Sequence, residues 1–321
     1  MKKALIIGIN DYPNAPLSGC ENDAISVSNI LESNGDGSPN FDIRLELNVK
    51  TKSALKTHII ELFSGNSDTC LLYFSGHGYL DELGGGFIVT PDAENNDLGI
   101  SMDEILNYAN KSECRNKVII LDCCHSGAFG TPTNQNIANI HEGVTILTAS
   151  KDKEYSLEIG GHGVFTTLLL EALKGGAADL RGHITPGSIY SFIDQALGPW
   201  DQRPVFKTNI SRFTSLRKTT PQIPISTLRD IINIFPTPSD EFVLDPSFEF
   251  TNDKNIEHEY KEPYASEQNV QTFKKLQQMN RVGLVRPVDE EHMYFAAMNN
   301  KACQLTALGY HYWRLIKEKR I

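Results

Sequence analysis

Two short runs carry the side chains able to do covalent chemistry. One reads YFSGHGYL, with His77 between Gly76 and Gly78. The other reads ILDCCHSG, with Cys123 and Cys124 directly after Asp122. An imidazole beside a thiol favours the thiolate, which is the competent nucleophile, and can return the proton to a departing amine. Taken alone, each group has a plainer reading: a histidine ending a strand is usually a satisfied polar residue, and a buried cysteine is usually core filler. Both here end apolar runs and both have glycine close by, which favours chemistry. A zinc site drawn from Cys20, His77, Cys123, Cys124 and His125 lacks the Cys-x-x-Cys pairs such sites use.

For the two groups to meet, the runs before them must be neighbouring strands that end at the same edge. KALIIGI (3–9), FDIRLELNV (41–49), CLLYFSG (70–76), KVIILD (117–122) and VTILTAS (144–150) read as strands. Helical patterns over 23–33, 54–63, 101–111 and 164–176 separate or follow them, with Ser101 and Glu104 in capping-box spacing and glycines closing the last. This order predicts an α/β three-layer sandwich, a mostly parallel sheet with helices on both faces. In such sheets functional groups gather at the carboxyl ends of the strands, and neighbours lie roughly 5 Å apart. Side chains alternate along a strand, so Cys123 and Cys124 cannot both face His77. A second GGHG at 160–163 makes His162 a rival, but it precedes a helix, where a turn role is expected.

The 321 residues carry a net charge of −10, which argues against general affinity for nucleic acid or anionic membranes. No window approaches the ~18 apolar residues of a membrane span, and the start, MKKALIIGINDY, reads as a first strand and not a secretory leader. The six cysteines show no framework spacing, so free thiols in a reducing cytoplasm are expected.

Three linked pieces, GINDYPNAPLSGCENDA, SGHG and LDCCHSG, together with later TAS, HGVFTTLLLEAL and QRPVF, resemble the caspase-like cysteine peptidases of clan CD. The similarity is to the metacaspase and bacterial orthocaspase branch, and covers residues 1–215. It implies a caspase-haemoglobinase-like fold and an endopeptidase. His77 is then general base and acid, Cys124 the nucleophile, and the N–H groups of Gly78 and Cys124 the oxyanion hole, for which a glycine lets substrate backbone come close. Asp23 and Asp122 match the S1 acids that hold a P1 arginine or lysine through charge-assisted hydrogen bonds. A caspase-type pocket for aspartate needs a basic residue instead, and no Arg or Lys lies between Lys3 and Arg44. The plain alternatives are a helix N-terminal acid for Asp23 and a strand-end acid for Asp122.

Two departures matter. Many metacaspases bind activating calcium through an acidic cluster after the histidine, and here DELGGGFIVTPDAENNDLGISMDEI has glycine where an acid is expected. Asp103 matches one ligand, while Asp92, Asp97 and Glu104 are merely nearby. A hard cation wants about six to eight oxygens, so neither calcium nor another cofactor is expected. The loop from Ala128 to Gly143, often self-cleaved in relatives, holds no Lys, Arg or Asp, so an active single chain is expected.

Residues 216–265 are proline-rich and acidic and read as a connector. Residues 266–321 resemble a winged-helix module, with NVQTFKKLQQMNRVGLVRPV a helix ending near Gly283, HMYFAAM a short strand and CQLTALGYHYWRLIKEKR a helix. Its nine Lys/Arg against five Asp/Glu are dispersed among Tyr294, Phe295, Tyr310, Tyr312 and Trp313, which read as core, and form no dense phosphate-binding stripe. A regulatory protein partner is therefore expected here, not nucleic acid or membrane. The competing readings are a catalytically silent caspase-like scaffold and a DNA-linked regulator. A place in bacterial defence or cell death rests on fold analogy alone.

Overall fold

The computed structural model describes residues 1–81, 85–94, 97–123, 140–149, 158–159, 162–197, 204–257 and 259–321. They form two units, Met1–Thr220 and Pro221–Ile321. The first begins β1 (Lys2–Gly8), α1 (Cys20–Glu32), β2 (Asp42–Leu47), α2 (Lys52–Phe63) and β3 (Thr69–Ser75). Strands β4 (Gly78–Leu80), β5 (Gly86–Glu94) and β6 (Asp97–Ser101) follow as a separate antiparallel sheet, then α3 (Met102–Lys111), β7 (Asn116–Asp122) and β8 (Val144–Thr148). The two-residue strands β9 (Glu158–Ile159) and β10 (His162–Gly163) precede α4 (Val164–Glu171), β11 (His183–Ile184), α5 (Pro186–Leu197), β12 (Val205–Asn209) and β13 (Arg217–Lys218).

Among the described residues six strands make the main sheet in the order β12-β8-β7-β3-β1-β2, parallel except for β12, which runs antiparallel to β8. Alternation along each strand divides the core between two faces. Ile7, Leu72, Phe74, Ile119 and Leu121 pack with Leu55 and Ile59 of α2 and Ile105 of α3. Ile6, Leu71, Tyr73, Val118 and Ile120 pack with Val27 of α1, Leu169 of α4 and Ile189 of α5. Buried on both faces, these strands read as continuous apolar runs, which is why the sequence located them. The Ser101 cap is formed, its hydroxyl accepting from Glu104 N–H at 3.1 Å.

Cys70 and Cys114 correct the expectation of free thiols, because the two sulfurs are joined. Cys70 lies at the start of β3 and Cys114 just before β7, its parallel neighbour, which brings their Cα atoms to 6.4 Å. Only the sheet order reveals the pairing, since the two stand 44 residues apart. A loop of that length corresponds to about 4 kcal/mol of unfolded-state entropy. Reduction, or Cys114→Ser, is therefore expected to lower the melting temperature by several degrees. Equal melting curves with and without reductant would show that the bond contributes nothing.

The second unit contains α6 (Ile225–Arg229), α7 (Ile231–Ile234), β14 (Glu241–Val243), α8 (Glu267–Arg281), β15 (Val285–Pro287), α9 (Met293–Met298), β16 (Ala302–Leu305) and α10 (Ala307–Lys317). Part of the stretch read as a connector thus lies in this unit, with β14 pairing antiparallel to β16 and β16 to β15. Helix α8 ends as expected, with Gly283 at φ 74° just beyond it. The expected strand HMYFAAM is a helix, for which the buried Met293, Ala296 and Ala297 have the right i, i+3, i+4 spacing. The final helix starts only at Ala307, capped by Thr306, because Cys303 belongs to β16. Tyr294, Phe295 and Tyr310 are exposed, not core. Among the described residues, no helix is long and apolar enough to cross a membrane.

Candidate active site

β3 and β7 run side by side in a register that sets Ser75 opposite Asp122, and Gly76 N–H extends the pairing to Asp122 O at 3.4 Å. His77 therefore follows the strand end that adjoins Asp122. Its backbone is held on both sides: the N–H donates to the Tyr12 hydroxyl at 3.0 Å, and the carbonyl accepts from Val89 N–H at 2.9 Å. The imidazole Nε2 lies 2.7 Å from the Ala15 carbonyl, and the Tyr12 ring meets it edge-on at 4.5 Å between centroids. A carbonyl can only accept, so Nε2 carries the proton and Nδ1 of the neutral ring keeps a lone pair. The structure thus leaves one ring nitrogen able to take a proton and fixes the other.

Tyr12 forms this clamp as a neutral phenol, because burial pushes its pKa up. Its hydroxyl also donates to Val89 O at 3.2 Å. Gly76 is required here, since a Cβ would sit 2.6 Å from the Tyr12 oxygen. The loop carrying Tyr12 and Ala15 is anchored by Asn10, whose side-chain oxygen accepts from the N–H of Cys20 at 2.9 Å at the start of α1. These residues stand within the longest motif, GINDYPNAPLSGCENDA, but no pattern marks a tyrosine as a clamp or an alanine carbonyl as the acceptor for a ring N–H.

The acids lie on the other side of β3. Ser75 and Asp122 share the parity of Tyr73 and Ile120, so they face α1 and α4. Asp23, buried in the first turn of α1, accepts from Ser75 Oγ at 3.3 Å and from Gly163 N at 3.5 Å. α1 sits close to the sheet because Gly8 has no Cβ: one would lie 2.3 Å from the Cys20 carbonyl. Asp122 accepts from Thr166 Oγ1 of α4 at 2.6 Å, and Thr166 is 2.6 Å from the buried Tyr73 hydroxyl. A Cβ on Gly163 would stand 3.0 Å from Asp122 Oδ2 and 3.6 Å from Asp23 Oδ2, so both carboxyls border the same glycine. Burial pushes the Asp122 carboxyl up to about 7, the Thr166 hydrogen bond pulls it down and the charge of Asp23 raises it further. Two acids set this way want a cation.

Cys123 is buried in the core cluster of the opposite face, with Leu121. Cys124, hence the thiol and the second oxyanion donor, and His125 lie outside the described residues. Gly78 opens β4 and pairs with Ile88. His162, the rival, pairs with Ile159 in the two-residue strand β10, directly before α4. Of the acids near the calcium positions of relatives, two are paired with lysines, Asp97 with Lys52 at 2.6 Å and Glu104 with Lys56 at 2.5 Å. No metal-holding group of three His, Cys, Asp or Glu occurs among the described residues.

A mostly parallel sheet flanked by helices, with a clamped histidine following the strand next to the one that ends at Asp122, defines an α/β protein of the caspase-like class. A family model described as Caspase domain matches residues 1–230, and the chain belongs to that family, whose members are cysteine peptidases acting on proteins. Among solved structures it is similar to caspase-1 from Spodoptera frugiperda, at 15% identity and a TM-score of 0.50 over 68% of this chain and 90% of that one. A structure described as pro-sf-caspase-1 aligns at 15% identity and a TM-score of 0.47 over 68% of this chain and 91% of that one. No curated protein matches.

Proposed function

We propose that the chain is a cysteine endopeptidase of the metacaspase and orthocaspase type that cuts after arginine or lysine. Cys124 attacks the scissile carbonyl after giving its proton to Nδ1 of His77. The oxyanion is met by the N–H groups of Gly78 and Cys124, and the imidazolium then protonates the leaving amine. His77 is suited to this because the Ala15 carbonyl fixes its tautomer and leaves Nδ1 to exchange protons. Cys124 is preferred over Cys123 on the family resemblance, and because Cys123 is buried in the apolar core.

The observation that carries the specificity is the pair of acids, Asp23 and Asp122, set against one glycine at the carboxyl ends of the strands. A guanidinium entering there would neutralise both and accept their bidentate geometry. Calcium is not required in this reading, since Lys52 and Lys56 supply positive charge to Asp97 and Glu104. Regulation through residues 266–321 and a bacterial defence role belong to the same proposal and rest on resemblance alone. Fluorogenic peptides differing only at P1 provide the test. Arginine and lysine substrates are expected to be cut with kcat/KM at least about 100-fold above the aspartate one, the difference a buried charge pair supports. A preference for aspartate would overturn it.

A further inference from the structure

The edge strand β2 is the last member of the main sheet and, among the described residues, pairs only with β1. Asn48 N–H donates to Gly8 O at 2.9 Å, which fixes the direction of every peptide group before it. Backbone groups alternate in direction along a strand, so those of Arg44 and Glu46 face β1, while those of Ile43, Leu45 and Leu47 face outward. Side chains follow the same parity. Leu45 and Leu47 are each 37% exposed, and Ile43 packs only partly against the α1 face of the core. Such an edge, with outward peptide groups that find no partner among the described residues and an apolar stripe, is a template for another strand.

We infer that β2 is a self-association edge, where a second copy of this chain adds its own β2 antiparallel about a two-fold axis through Leu45. In that register Leu45 exchanges both backbone hydrogen bonds with its twin, and Ile43 does so with Leu47. The three apolar side chains of each copy then form one stripe on a single face. On the other face Arg44 stands directly opposite Glu46 of the second copy, twice, in the closer, non-hydrogen-bonded pairs. A register centred on Arg44 or on Glu46 would instead oppose like charges. Within one copy Arg44 already contacts Glu46 at 2.7 Å and reaches Glu61, so the four strand charges close into a symmetric quartet. Charged edge residues hinder pairing where they would meet like charges. An Arg-x-Glu alternation centred on an outward-facing leucine is self-complementary instead, as an isologous contact requires.

The test is sedimentation velocity of the full chain, carrying Cys124→Ala to prevent self-cleavage, over a low- to high-micromolar concentration series. Wild-type β2 is expected to give a monomer–dimer equilibrium. Arg44→Glu is expected to weaken dimerisation at least about tenfold by opposing like charges. Arg44→Glu with Glu46→Arg, which restores opposite charges across the axis, is expected to recover it. Leu45→Pro removes the central outward N–H at a position where an edge strand tolerates proline, and is expected to abolish the dimer while far-UV dichroism and melting stay native. A parent that is monomeric throughout would overturn the inference. So would a single charge reversal that dimerises as tightly as the parent, a double reversal that recovers nothing, or a dimer that persists with Leu45→Pro. None of these outcomes depends on peptidase activity.

Discussion

Cys124→Ala is expected to remove peptide hydrolysis by roughly a thousandfold or more, and His77→Ala to cost about as much. The two groups act as a unit: without the imidazole the thiol keeps its proton, and without the sulfur the imidazole has nothing to activate. The double variant should therefore be no slower than the slower single one. Cys123→Ala separates the adjacent thiols. Cys123 is buried against Leu121 on the face away from the acids, so its loss should affect melting more than turnover. Steady-state kinetics on a P1-arginine peptide, with intact mass to confirm each protein, would measure all four. Hydrolysis that survives Cys124→Ala at a comparable rate would remove the mechanism, and full activity in His77→Ala would reassign the base.

The sheet and the placing of His77 at a strand end were legible because burial on both faces writes a strand as an unbroken apolar run. β3 and β7 are of that kind. The antiparallel hairpin after His77 was not, since β4 is three residues long and β5 ends in polar positions that alternate without a core behind them. HMYFAAM reads as a strand although it is helix α9, because its six-residue apolar run after His292 suits either period and only packing decides. Asp23 and Asp122 could be named from motifs, yet what they share is tertiary: Gly163, 140 positions beyond Asp23, closes both. Tyr12 and Thr166 carried no signal of their own. Each matters for a single oxygen aimed at one partner, and a sequence does not record direction.

Asp122→Asn is expected to do two opposite things. The folded chain holds a proton on Asp122 up to about pH 7, whereas the ordinary value is 3.8. Between those values the folded state binds more protons than the unfolded one, so stability falls as pH rises through this window and levels off above it. The full span corresponds to on the order of 4 kcal/mol as an upper bound. An asparagine cannot ionise and its oxygen can still accept from Thr166, so the variant should match the parent near pH 4 and melt higher at pH 8. The same change removes the charge proposed to face the substrate's guanidinium, and kcat/KM for P1-arginine peptides should fall by roughly 100-fold or more. The parent should bind a P1-arginine peptide more tightly as pH rises from 5 toward 7, because the cation needs the carboxylate. Measured in the Cys124→Ala background, where no turnover intervenes, that slope should flatten with Asp122→Asn. Unchanged hydrolysis of arginine substrates would detach Asp122 from specificity, and parallel stability curves at every pH would show that its half-buried charge carries no strain. Stability surrendered at neutral pH and recovered when a cation binds is what a site built to recognise arginine should display.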